Sequence, residues 1–239
     1  MNIHGCGVNK KLVRCALLGV SCDIPAGRKC CGFVGHSAKL GCSRCVKQFG
    51  GTFGNIDYSG FDRASWQPRS ASDHRDVRKH LCRCKTLSER TKAESSTGYH
   101  DSILLELPYF DSSHMLTVDS MHNLFLGTAK TVLKRIWIDE EIITNDNFEV
   151  IQKCIDDCNA PSDIGRIPYK VLSGFSSFTA DQFKNWVVYF SMLLLRGILV
   201  DSHLECWRHF VLACRILICY ELTEEQISTA DEHLLEFCR

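Results

Sequence analysis

Apolar and polar positions follow two different rhythms along this chain, and the change between them near residue 115 is the main guide to its architecture. Leu12 to Cys22 reads LVRCALLGVSC, a nearly unbroken apolar run of strand length, which predicts a strand buried on both faces. Asp23 stands at its end, where α/β folds place their chemistry. A turn containing Pro25 is expected at Ile24 to Gly27, followed by a cysteine-bearing segment, so residues 1–49 read as one compact unit. Residues 50–114 lose this order. Gly50, Gly51, Gly54 and Gly60, the serines, and the basic residues from Arg63 to Lys92 sustain no period, which predicts a long irregular basic insertion with at most one short helix.

From residue 115 to residue 239 the period becomes helical. Met121, Leu124, Phe125, Ala129, Val132 and Ile136 fall close to one face of a helix over Met121 to Trp137. Phe148 to Cys158 is a second, shorter helix. Thr179 with Gln182, and Thr223 with Gln226, form capping boxes ahead of helices at Phe183 to Leu199 and up to Phe237. Between them His203 to Tyr220 reads as a largely apolar helix with Trp207, Phe210, Leu212 and Ile216. The fold class expected is therefore α/β followed by mainly α. Trp186 to Val200 is the most apolar stretch, but Arg196 interrupts it and it is too short to span a bilayer, so no membrane segment is predicted. The last helix reaches Arg239 without a stop signal, which suggests a domain that continues beyond the chain.

Charge and cysteine content change this picture in two ways. The formal net charge is zero, yet residues 1–100 hold 17 Lys and Arg against 7 Asp and Glu, while residues 101–239 hold 11 against 21. The first part suits a phosphate backbone and the second does not. Arg63 to Lys92 is either a DNA-facing segment or a solvated basic loop. Fifteen cysteines follow an opening, MNIHGCGVNKK, without the features of a secretion signal, which points to a reducing compartment. There, closely spaced cysteines serve as metal ligands or buried apolar side chains.

Candidate chemistry concentrates at four places. Asp23 offers a carboxylate for a metal ion, or else a cap and turn starter. Cys42 and Cys45, two residues apart beside Gly41, can both reach one Zn²⁺ at about 2.3 Å. They form half a tetrahedral site, or a reduced pair without metal; Cys30, Cys31, His36, His80, Cys82 and Cys84 are available as further ligands. Asp119 and His122 share a helical face, so Asp119 can orient the imidazole, cap the helix or, less favourably, bind metal. Glu205 lies in LECWRHF, among residues of core character.

Three stretches, DIPAGRKCCGFVGHSAKLGCSRC, YFDSSHMLTVDSMHNLFLGTAK and LECWRHFVLACRIL, resemble the Tnp2 transposases of CACTA (EnSpm) DNA transposons over nearly the whole chain. The resemblance implies a partial RNase H-like sheet with a helical insertion domain, nuclear localisation, transposon DNA as partner and an oligomeric intact protein. It also implies three carboxylates on two Mg²⁺ ions roughly 3.5 to 4 Å apart. Asp23 matches the family's second acid, and Asp119 with His122 its Asp-x-x-His signature. Cys42 and Cys45 match a structural zinc pair whose histidine partners lie far downstream. The first acid belongs before Leu12, but residues 1–11 contain no carboxylate. The third belongs beyond the histidine pair, and the resemblance places Glu205 in the helical insertion instead. With two of three acids missing, the chain is expected not to cleave DNA alone. The alternatives are a zinc-stabilised DNA- or protein-binding module derived from a transposon, and an interaction protein using the helices from Thr179 to Phe237.

Overall fold

The computed structural model describes residues 14–52, 55–57, 62–161 and 164–239. Residues 1–13, which include the start of the expected strand, lie outside this set. The chain divides into two compact units, Met1–Val118 and Asp119–Arg239. The described structure is mostly helical.

In the first unit, Asp23 begins a helix rather than a turn. Helix α1 spans Ile24–Cys31 because Asp23 caps it, Pro25 occupies its first turn, where the missing N–H costs nothing, and Gly32 ends it in the left-handed region. Before it, residues 14–22 form one isolated parallel bridge, Val20 with Leu116. That bridge rests on Val20 N–H to Met115 O at 2.8 Å and Thr117 N–H to Val20 O at 2.9 Å. Leu18 is 89% exposed, so this segment is not the doubly buried strand its composition suggests. Among the described residues the sheet is a two-stranded antiparallel hairpin, β1 (Gly50–Thr52) with β2 (Asn55–Asp57).

The segment expected to be irregular contains two full helices, α2 (Ala71–Leu81) and α3 (Leu87–Thr97). Ser70 caps the first through Asp73 N–H, and Thr86 with Glu89 makes a capping box for the second. Each buries little: His74 and Leu81 from α2, Ala93 from α3. A short α4 (Ser112–Met115) follows. The core of the unit gathers Cys31, Phe33, Tyr99, Leu105, Phe110 and Leu116.

The second unit opens with a helix whose turns are wide. Its stretches Met121–Ala129 and Val132–Ile138 are π-helical, with Lys130 N–H reaching back to Phe125 O and Asp139 N–H to Lys134 O. Widening the turn rotates successive residues away from the 3.6-residue stripe. Leu124, Phe125 and Ala129 are buried as the spacing predicts, but Leu133 and Trp137 then take the core positions, and Ile136 is left 44% exposed. Helices α5 (Asn145–Asp156) and α6 (Val171–Gly174) follow. Next, α7 (Ala180–Asn185) continues through a π stretch, Trp186–Phe190, into α8 (Ser191–Leu194). This rod ends near Leu194, earlier than Leu199, and Gly197 turns the chain at φ 79°.

Helix α9 (Asp201–Leu217) forms the centre of this unit, and α10 (Glu224–Cys238) packs along it. Trp207 is 1% exposed, with its ring 4.9 Å from Trp137, 4.9 Å from Phe210 and 6.0 Å from Trp186. Its indole N–H donates to Ser191 Oγ at 2.9 Å, and that hydroxyl donates to Val187 O at 2.8 Å. Every polar atom of the Trp207–Ser191 contact therefore has a partner, as burial requires.

Candidate functional site

The Cys42–Cys45 loop is built around a buried arginine. Arg69 is 2% exposed and carries no carboxylate partner among the described residues. Its guanidinium donates to four carbonyls: Leu40 at 2.9 Å, Cys42 at 2.8 Å, Cys45 at 3.1 Å and Thr97 at 3.0 Å. It also lies over the Tyr99 ring, 4.4 Å from its centroid. Three of these carbonyls belong to residues 40–45, so one planar cation fixes the path of the loop. Arg69 N–H donates to Arg44 O at 2.9 Å, adding a backbone tie to the same loop.

Two glycines let the chain approach this closely. A Cβ on Gly41 would stand 2.4 Å from His36 O, and one on Gly98, whose φ is +77°, would stand 2.4 Å from Arg69 Nη2. Neither position has room for a side chain.

The loop presents the Cys42 sulfur to a backbone N–H donor. Arg44 N–H donates to Cys42 Sγ at 3.3 Å. Burial pushes the Cys45 thiol up, and Cys42 adds to this; the Lys47 amide and the Arg69 charge pull the other way. A cation bound there would take the place of the thiol proton, which is how thiol metal sites load.

Cys42 and Cys45 are brought together, but further ligands are not. Among the described residues no group of three or more His, Cys, Asp or Glu side chains is placed to hold a metal ion. Cys31 is buried and its thiol is pushed up to about 11, chiefly by desolvation. Cys30 and Cys82 are exposed, and Cys84 donates to His80 O at 3.5 Å. His36 comes nearest in role: it lines, with Cys42, Lys39 and Phe49, a cleft of about 570 Å³. The donor set fits half a zinc site.

Asp23 acts as a helix cap, its Oδ1 accepting from Ala26 N–H at 2.7 Å. A single capping carboxylate does not fit a two-Mg²⁺ centre. Asp119 does two of the three things its position allows. Oδ1 accepts from Met121 N–H at 2.8 Å, capping the wide helix, and Oδ2 accepts from His122 Nδ1–H at 2.6 Å. The imidazole bond, ahead of the amide bonds, holds its carboxyl below the ordinary range. Glu205 lies exposed on α9 in an ion pair with Arg208, whose hydrogen bond lowers the carboxyl's pKa.

The basic segment separates into structural and available cations. Arg75 donates to Pro108 O and Phe110 O, and Arg78 pairs with Asp101 at 2.7 Å and Glu106 at 3.1 Å, so both hold the first unit together. Arg90 pairs with Glu94 at 3.0 Å. Arg83, Lys85 and Lys92 are exposed. Arg83 and Lys92 line a cleft of about 390 Å³ beside His80 and the end of α2. Glu89 also lines it, but its carboxylate is committed to Lys85 N–H and Thr86 N–H.

Sequence reasoning missed Arg69 and His74. His74 is fully buried between Nε2–H donated to His100 O at 2.9 Å and Nδ1 accepting from Ser112 Oγ–H at 2.7 Å, with Tyr99 stacked 4.1 Å away. The carbonyl can only accept, so the neutral Nε2–H tautomer is fixed. Burial, as the largest influence, lowers its pKa. The signal available in sequence was the pair of helix caps around it. Comparison with family models, curated proteins and solved structures gives no match.

Proposed function

We propose that this chain is a DNA-binding portion of a CACTA-type transposase, an RNase H-like core segment followed by a helical insertion domain. Supported by the resemblance, it works in the nucleus on transposon ends, and the intact protein oligomerises and performs Mg²⁺-dependent strand cleavage and transfer. The observation that carries the reading is the Cys42–Cys45 loop. Arg69 Nε–H donates to the carbonyls of both cysteines, which fixes the backbone that carries the two sulfurs, and Arg44 N–H faces the Cys42 sulfur. Such preorganisation suits a structural Zn²⁺, with Cys42 and Cys45 as two of its four ligands. The cation would fix the loop and do no chemistry on DNA.

Phosphate contact falls to Arg83, Lys85 and Lys92, because the buried or carbonyl-bound arginines of the segment have structural work. Asp23 capping α1 supports a chain that does not cleave alone. Oligonucleotide assays with Mg²⁺ or Mn²⁺ test this. No cleavage or joining is expected; activity lost on Asp23→Ala would overturn the proposal. The second reading, a non-enzymatic module derived from a transposon, shares this zinc loop and basic face, and the same assay supports it equally. Flanking genomic sequence separates the two: an upstream strand with an acid and a downstream histidine pair followed by a glutamate belong to the transposase reading.

A further inference from the structure

Helices α9 and α10 each direct one histidine at the other. Nδ1 of His209 lies 2.9 Å from Nδ1 of His233, with the rings 5.1 Å apart and inclined at 57°. At that separation one nitrogen carries the proton and the other accepts it, since two lone pairs or two N–H groups would repel. One proton therefore sits between two basic nitrogens. A borderline divalent cation that favours imidazole can take its place.

The separation of the two nitrogens requires little change. Zn–N bonds of about 2.0 to 2.1 Å at a tetrahedral angle set two ligating nitrogens about 3.3 Å apart. Starting from 2.9 Å, the rings need to part by less than half an ångström. Glu205, one turn before His209, places Oε1 3.6 Å from His209 Nε2. When Nδ1 binds a cation, Nε2 carries the hydrogen, and a carboxylate 3.6 Å away, beyond hydrogen-bond distance, favours that tautomer electrostatically. Arg208 fixes Glu205 in turn, through contacts of 2.8 and 2.5 Å. The His209 side chain is 21% exposed, so the cation and its water ligands have access. Among the described residues no third protein donor completes the set.

We propose that His209 and His233 form a two-imidazole clamp for Zn²⁺, completed by water and oriented by Glu205, which staples α9 to α10. The clamp uses neither Cys42 nor Cys45, so it stands apart from the proposed zinc loop.

Calorimetric titration of Zn²⁺ onto the full chain, in a Cys42→Ser/Cys45→Ser background, tests it. The affinity at this site should fall about tenfold or more in His209→Gln and in His233→Gln, and about tenfold in Glu205→Gln. Both single variants should weaken the same transition of the isotherm, and the double variant should abolish it, because one site is being removed. An unchanged isotherm in either glutamine variant, or a double variant that still shows the transition, would overturn the clamp. Circular dichroism in chelator checks that each variant folds. If a histidine variant does not, the exposed Glu205→Gln decides alone: unchanged Zn²⁺ affinity there overturns the proposal.

Discussion

Arg69 shows how much one side chain can organise. Its guanidinium satisfies carbonyls at Leu40, Cys42, Cys45 and Thr97, all of which would lose a donor together. Each buried unsatisfied group costs about 1 to 3 kcal/mol, so Arg69→Ala should destabilise the first unit by about 3 kcal/mol or more in urea unfolding. Arg69→Lys should recover only part of this, since an ammonium lacks the planar fork. A lysine variant as stable as wild type would mean that charge, rather than the fork, matters. His74 makes a separate prediction in pH. Its folded-state pKa lies below its unfolded value, so the unfolded chain binds the extra proton and stability falls as pH drops below about 6.5. The lowered carboxylates, Asp111 and Asp119 among them, act only at lower pH. Between pH 7.5 and 5.5 the wild type should therefore lose stability at up to about 1.4 kcal/mol per pH unit more steeply than His74→Gln. Parallel unfolding curves for the two proteins would contradict this.

The helices divide into those their period reveals and those it does not. Thr179 and Thr223 begin α7 and α10 with the capping boxes expected of them, because a cap is a local interaction that sequence spacing fixes. Helices α2 and α3 were hidden because α3 buries only Ala93 and so shows no apolar stripe. Their caps, Ser70 with Asp73 and Thr86 with Glu89, were the legible sign. The wide-turn helix shows the opposite case: its apolar content was plain, but the π turns moved Trp137 inward and Ile136 outward. The candidate site was legible in part. Cys42 and Cys45 follow from spacing, whereas Arg69 reaches them from 24 to 27 residues away, a contact that only folding creates. At the centre of the second unit, Trp207→Ala should cost about 3 to 5 kcal/mol, as a large buried aromatic is removed and Ser191 loses its donor. A loss below about 1 kcal/mol in chemical unfolding would show that this aromatic cluster does not control the unit's stability.

Across the whole molecule, the charge split gains a more specific form. The excess of Lys and Arg in residues 1–100 is not a uniform patch, because Arg69, Arg75 and Arg78 are spent inside the fold. Exposed cations at Arg83, Lys85 and Lys92 remain for the proposed contact with phosphate. The most direct test of a DNA-binding role is the salt dependence of affinity for duplex DNA, measured by fluorescence anisotropy on the full chain and on an Arg83→Ala/Lys85→Ala/Lys92→Ala variant. Three phosphate contacts predict a slope of log K against log salt of about −3 for the wild type, falling towards zero in the variant. No binding at low salt, a flat salt profile, or a variant that binds like the wild type would contradict the account.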